Sequence, residues 1–153
     1  MNIDITNLQT VADIDTGALT RFALRIMGHV AELDPSFHWR ELSIVLTDDS
    51  IRALNREWFG KDRVTDVISF AYPDDGLGDG DTGEVILNVR QALEEGQLRE
   101  SPDTELALYL AHGCHHLTGA EDNTPDRKRA MLALETAWVD RARNEQTLEP
   151  FFR

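Results

Sequence analysis

Hydrophobic and polar positions along the chain switch repeatedly between a two-residue and a helical period. Ile3 and Ile5 alternate with polar neighbours and predict a first strand. Leu19, Phe22, Ala23, Ile26, Met27 and Val30 then recur at three- and four-residue steps, which predicts an amphipathic helix over Thr16 to Leu33. Leu42, Ile44 and Leu46 alternate as a second strand, and Asp48 or Asp49 stands where it would cap a short helix carrying Ile51, Leu54, Asn55 and Trp58, ended by Gly60. Asp66 to Tyr72 and Glu84 to Val89, rich in β-branched and aromatic residues, flank a Pro73–Gly83 segment with four glycines and four aspartates; they predict paired central strands around a turn-rich loop. Ser101-Pro102 opens an apolar helix running through Leu106, Leu108, Leu110 and Ala111 toward Gly119 as its cap, and Thr124-Pro125 opens a last helix with Ala130, Met131, Leu134 and Trp138. The order βαβαββαα predicts one sheet covered by helices, an α/β fold.

Composition narrows this picture. A length of 153 residues, with no repeat and no dividing linker, argues for one domain over residues 1–153, and 41% hydrophobic with 28% charged residues excludes disordered and low-complexity classes. The lone Cys114 cannot close an internal disulfide, the first residues lack the basic start and apolar run of a signal peptide, and no stretch nears the roughly 20 apolar residues of a membrane span. A cytoplasmic location without a membrane role is the expectation. The net charge of −13 argues against nucleic acid for the chain as a whole, because nucleic-acid binders show a basic footprint. Locally, Arg52, Arg56, Lys61 and Arg63 are close in sequence and Arg127, Lys128 and Arg129 are consecutive, which reads either as solvated faces or as phosphate-facing patches. The Asp-Gly pairs of the loop lack the glutamate that completes a calcium loop.

The chemistry concentrates in His112-Gly-Cys-His-His116-Leu-Thr-Gly119-Ala-Glu-Asp122. At about 100° per residue, His112 and His116 lie roughly 40° apart around a helix and one turn apart along it, so both imidazoles can converge on one metal ion. A left-handed Gly119 would stop the helix and swing Asp122 toward the same point. Two imidazoles, a carboxylate and an open fourth position suit a catalytic zinc site. Cys114 falls on the opposite helix face as a buried thiol, not a ligand. His115 leaves three roles open: lining the cleft, accepting a proton, or packing. Zinc peptidases place a glutamate beside the first histidine to take the proton from water, and here that position is Gly113, which argues against peptide hydrolysis and leaves another bond, such as a phosphodiester, open.

With these residues in view, the chain resembles the YbeY family of bacterial endoribonucleases and ribosomal RNA maturation factors. The family signature His-Gly-x-Leu-His-Leu-x-Gly-Tyr-Asp-His is matched by His112, Gly113, His116, Leu117 and Gly119, and the upstream segment by Leu54, Asn55, Asp62, Thr65, Asp66, Val67, Ile68, Ser69 and Phe70. Gly83-Glu84-Val85-Ile86 and Met131 to Glu135 resemble the family's following strand and closing helix. The chain departs from the pattern where Asp122 takes the place of a third histidine, Ala120 that of an aromatic residue, Phe59 that of an arginine and Val64 that of a proline. A carboxylate ligand donates charge and leaves an ion less acidic than a third imidazole would. Arg56, Lys61 or Arg63 can replace the missing arginine toward phosphate.

The resemblance implies a small mixed sheet with a zincin-like metal cleft, in which His112, His116 and Asp122 hold one zinc ion. It implies a single-strand-specific endoribonuclease in 16S ribosomal RNA 3′-end maturation and ribosome quality control, partnered by ribosomal RNA and a small-subunit ribosomal protein or assembly GTPase. Two other readings stand beside it. One is a non-catalytic ribosome-assembly factor with a structural metal; the other is a metal-dependent hydrolase of a small substrate.

Overall fold

A computed structural model describes residues 1–153. In chain order the elements are β1 (Asn2–Asn7), α1 (Thr16–Leu33), β2 (Trp39–Thr47), α2 (Ile51–Phe59), β3 (Val67–Tyr72), β4 (Asp81–Asn88), α3 (Val89–Leu98), α4 (Pro102–His116) and α5 (Pro125–Asn144). The sheet runs β1-β2-β4-β3, with β1, β2 and β4 parallel and β3 antiparallel to β4. This is the expected α/β fold with a small mixed sheet, and the runs flanking the glycine-aspartate loop pair as anticipated, Val67 opposite Leu87 and Ser69 opposite Val85, but only β4 is central: β3 has one neighbour and forms an edge of the sheet.

Side-chain alternation divides the core between the two faces of the sheet. Leu42, Ile44, Leu46, Val85 and Leu87 face a large cluster shared with α1, α4 and α5, while Ile68 and Ile86 face a small one closed by Ile51 of α2, with Leu54 and Phe70 packed around it. Helix α4 is covered almost all round: ten of its residues are buried, including Leu106, Leu110, Cys114 and His115. An all-round apolar helix has to sit inside the fold, and this one places its C-terminal end beside β3. No helix is long and apolar enough to cross a membrane.

Three further expectations, all local, are corrected. Helix α3 was not anticipated: Asn88 ends β4, and its side chain caps the new helix by accepting from the Gln91 N–H at 3.1 Å, so Val89 is the first helical residue and not the last of a strand. Ser50, not an aspartate, occupies the N-cap position of helix α2 and makes no side-chain bond into the helix, whereas the Asp48 carboxylate accepts the Ser50 N–H at 2.9 Å just outside it. Helix α4 stops at His116, three residues before Gly119, because the amides of Leu117, Thr118 and Gly119 bond back to Cys114, His115 and His116 in a tightened last turn.

Candidate metal centre

Helix α4 starts where Ser101 accepts the Thr104 N–H at 3.1 Å with Pro102 in the first turn, and its far end carries the two histidines. One turn apart, the rings of His112 and His116 stand 4.4 Å apart at 79°, and their Nε2 atoms approach to 3.0 Å. The chain then reverses at Gly119, whose φ of 84° lies in the left-handed region that a side chain disfavours. The reversal delivers Asp122, with Oδ2 3.4 Å from His112 Nε2 and 3.7 Å from His116 Nε2. The structure thus brings His112, His116 and Asp122 together, with one possible ligand atom of each inside a mutual distance of 4.8 Å.

The partners behind the rings decide which nitrogens face that point. His112 Nδ1 lies 2.9 and 3.1 Å from the two oxygens of Glu135, and His116 Nδ1 lies 2.8 Å from the Ala120 carbonyl oxygen. A carboxylate and a carbonyl only accept, so both Nδ1 atoms carry the proton and donate it. Both Nε2 atoms are left with lone pairs, aimed at each other and at a carboxylate oxygen. With both rings neutral such a group has no proton to share, and it is self-repelling until a proton or a metal cation sits among its members. Two imidazole nitrogens and one carboxylate oxygen, each with its outer partner fixed, fit a zinc-type ion by ligand chemistry.

The electrostatics agree. Burial disfavours a charged His112, yet the hydrogen bond and charge of Glu135, followed by Asp66 and Asp122, outweigh it and hold the imidazole above its ordinary pKa. Burial likewise acts against ionised Glu135, whose side chain is 1% exposed, but hydrogen bonds from His112 and His115 hold its carboxyl below the usual range. The centre draws positive charge.

Glu135 is the residue the sequence reading did not place at the site. A readable signal was present: Met131, Glu135, Trp138 and Ala142 share the buried face of α5, and an acid within an apolar stripe needs a buried partner. It also resolves His115, which donates from Nδ1 to Glu135 at 2.8 Å and rests 5.3 Å from the Trp138 ring, packed and 5% exposed. Cys114 is fully buried in the large cluster, and burial pushes its thiol up.

Gly113 is explained by contact. A β-carbon there would lie 2.7 Å from Val85 Cγ1 and 2.8 Å from Val67 Cγ2, and the Gly113 carbonyl accepts the Ser69 hydroxyl at 2.8 Å. The position faces the sheet, so the peptidase glutamate has no room.

Around the centre opens a cleft of about 490 Å³, lined among others by Asn55, Phe59, Lys61, Arg63, Asp66 and Ser69. The basic residues near it separate into two groups. Arg52 and Arg56 both turn to Asp62, at 2.8 and 3.8 Å, whereas Lys61 and Arg63 line the cleft and make no ion pair. Arg127 and Arg129 pair with Glu121 and Asp126 and so are spent on the entry to α5.

Fold and site together define an α/β protein whose central helix ends in a two-histidine, one-carboxylate cleft. Residues 4–143 match the family model described as endoribonuclease YbeY, and the chain belongs to that family. Relatives named endoribonuclease YbeY include one from Streptomyces griseus, 31% identical over 97% of this chain and 94% of its own, and one from Rhizorhabdus wittichii, 39% identical over 74% and 73%. The relative from Myxococcus xanthus is 44% identical over 62% of this chain, which spans only 34% of that longer protein. A solution structure from Thermotoga maritima shares the fold, with a TM-score of 0.57 at 19% identity over 97% of this chain and 96% of the other.

Proposed function

We propose that residues 1–153 act as one domain, a zinc-dependent endoribonuclease that cuts single-stranded RNA in ribosomal RNA processing. Its setting in this reading is the cytoplasm, its tasks are 16S ribosomal RNA 3′-end maturation and ribosome quality control, and its partners are ribosomal RNA and a small-subunit ribosomal protein or assembly GTPase. The observation that carries the reading is the cation-seeking cluster of His112, His116 and Asp122 in a cleft that also presents the unpaired Lys61 and Arg63. The relatives named endoribonuclease supply the reaction class.

His112 and His116 would hold the ion through Nε2 and Asp122 through a carboxylate oxygen. A bound divalent ion supplies Lewis acidity toward a phosphoryl oxygen and an activated water. Glu135 and the Ala120 carbonyl keep the two imidazoles in the tautomer that leaves Nε2 free. Lys61 and Arg63 bind the phosphates of the strand and orient the scissile group. Gly113 keeps α4 seated on the sheet so that the histidines stay at the cleft.

The test is cleavage of a ribosomal RNA fragment by purified protein with defined zinc, beside His116→Ala prepared identically. Cleavage by the wild type alone is expected. If neither cleaves while both bind RNA, the assembly-factor reading takes its place, a reading that the charge-donating Asp122 favours.

A further inference from the structure

Two large aromatic side chains at the end of α2 have no part in the chemistry so far. Trp58 and Phe59 are 62% and 50% exposed, a costly placement for rings that a folded chain ordinarily buries. They are held firmly all the same. Phe70 of β3, packed on the Ile51, Ile68 and Ile86 cluster, lies 6.1 Å from the Phe59 ring at only 13° between planes, and meets the edge of Trp58 at 5.5 Å and 66°. Phe59 lines the same cleft as His112, His116 and Asp122, and the unpaired cations Lys61 and Arg63 follow it within four residues. An exposed ring sharing a cleft with free cations matches one class of ligand closely, a single-stranded nucleic acid, whose base faces take the ring and whose phosphates take the cations. A duplex brings no open base face, and an apolar ligand leaves both cations unmatched.

We propose that Phe59 is a base-stacking residue: a nucleobase next to the scissile phosphate of single-stranded RNA lies on its exposed surface, backed by Phe70, with Lys61 and Arg63 on the flanking phosphates. The inference rests on the endoribonuclease reading and adds to it the source of single-strand selectivity. Because every base has a π-face, the contact discriminates strandedness far more than sequence.

The test uses zinc-loaded protein and a fluorescent single-stranded RNA oligonucleotide, with binding read by anisotropy before appreciable cleavage. Phe59→Ala should weaken binding about 5-fold to 150-fold, the range for losing one stacked base, and raise KM more than it lowers kcat. Phe59→Trp should restore affinity. The slope of log affinity against log salt should stay unchanged in Phe59→Ala but fall in Lys61→Gln, and the wild type should lose its advantage over Phe59→Ala on an oligonucleotide with one abasic position at the stacked base. Thermal midpoints of the variants check that each is folded. A wild type that binds and cuts RNA, with a folded Phe59→Ala matching it in affinity and KM, overturns the stacking role alone. A wild type that neither binds nor cuts RNA overturns the endoribonuclease reading and the stacking role with it.

Discussion

At the scale of single residues, Glu135 organises more of the centre than either histidine. One carboxylate, almost fully buried, accepts from His112 and from His115, and so fixes a cleft-facing ring and a packing ring at once. Glu135→Gln keeps the shape but removes the charge, and should lower zinc affinity about 10-fold to 100-fold, measured by competition with a chelator. An unchanged affinity would mean that the His112 tautomer is set elsewhere. Cys114 supplies a pH dependence whose sign follows from its burial. The thiol is pushed up from 9.0, so the folded state keeps a proton that the unfolded chain releases. Its contribution is therefore intact below the unfolded thiol's value and is lost as pH rises above it, by about 1.4 kcal/mol per pH unit. Urea midpoints between about pH 9 and 10 should fall more steeply for the wild type than for Cys114→Ala, and equal slopes would refute this.

At the scale of elements, the contact of α4 with the β3–β4 pair sets where the histidines stand. Gly113 allows it, with the Ser69 hydroxyl bonded to its carbonyl. Gly113→Ala forces a methyl against Val85 and Val67, an overpacking that should cost about 1–3 kcal/mol. The lowered midpoint should come with weaker metal retention, because His112 moves with the helix. A variant as stable as the wild type would show that the strands yield freely. The same contact explains what was and was not legible here. The i, i+4 histidines and the Gly119 turn could be read because both are local geometry of one helix and its end. Helix α3 escaped because the run from Glu84 continues apolar through Val89, and only the side chain of Asn88, bonded to Gln91, marks the change of element.

At the scale of the whole molecule, charge is the unusual property: a net −13 surrounds a cleft with two unpaired cations. Like-charge repulsion from the rest of the surface is screened as salt rises and so opposes the loss of cation–phosphate attraction; RNA affinity should therefore fall only shallowly with salt, with a slope of about −1.4 for two local cations. Arg63→Gln should reduce the salt slope for single-stranded RNA by about 0.7, the value for one neutralised phosphate, while Arg52→Gln leaves it nearly unchanged because that guanidinium is held by Asp62. Binding isotherms at several salt concentrations decide it, and equal effects of the two substitutions would place the strand elsewhere.

The sequence by itself determined what depends on neighbours within a turn or a strand: the amphipathic α1, the alternation of β1 and β2, the β-branched and aromatic runs of β3 and β4, the two-histidine helix face, and the reversal that carries Asp122. Tertiary structure alone decided which basic residues remain free, that His115 packs, that Gly113 is a contact and not a missing base, and that Glu135 stands behind the His112 ring. These pairings join residues far apart in the chain, such as His112 with Glu135 and Ser69 with Gly113. A periodic pattern states which face of an element is buried, but only the packing of one element on another states what that face meets.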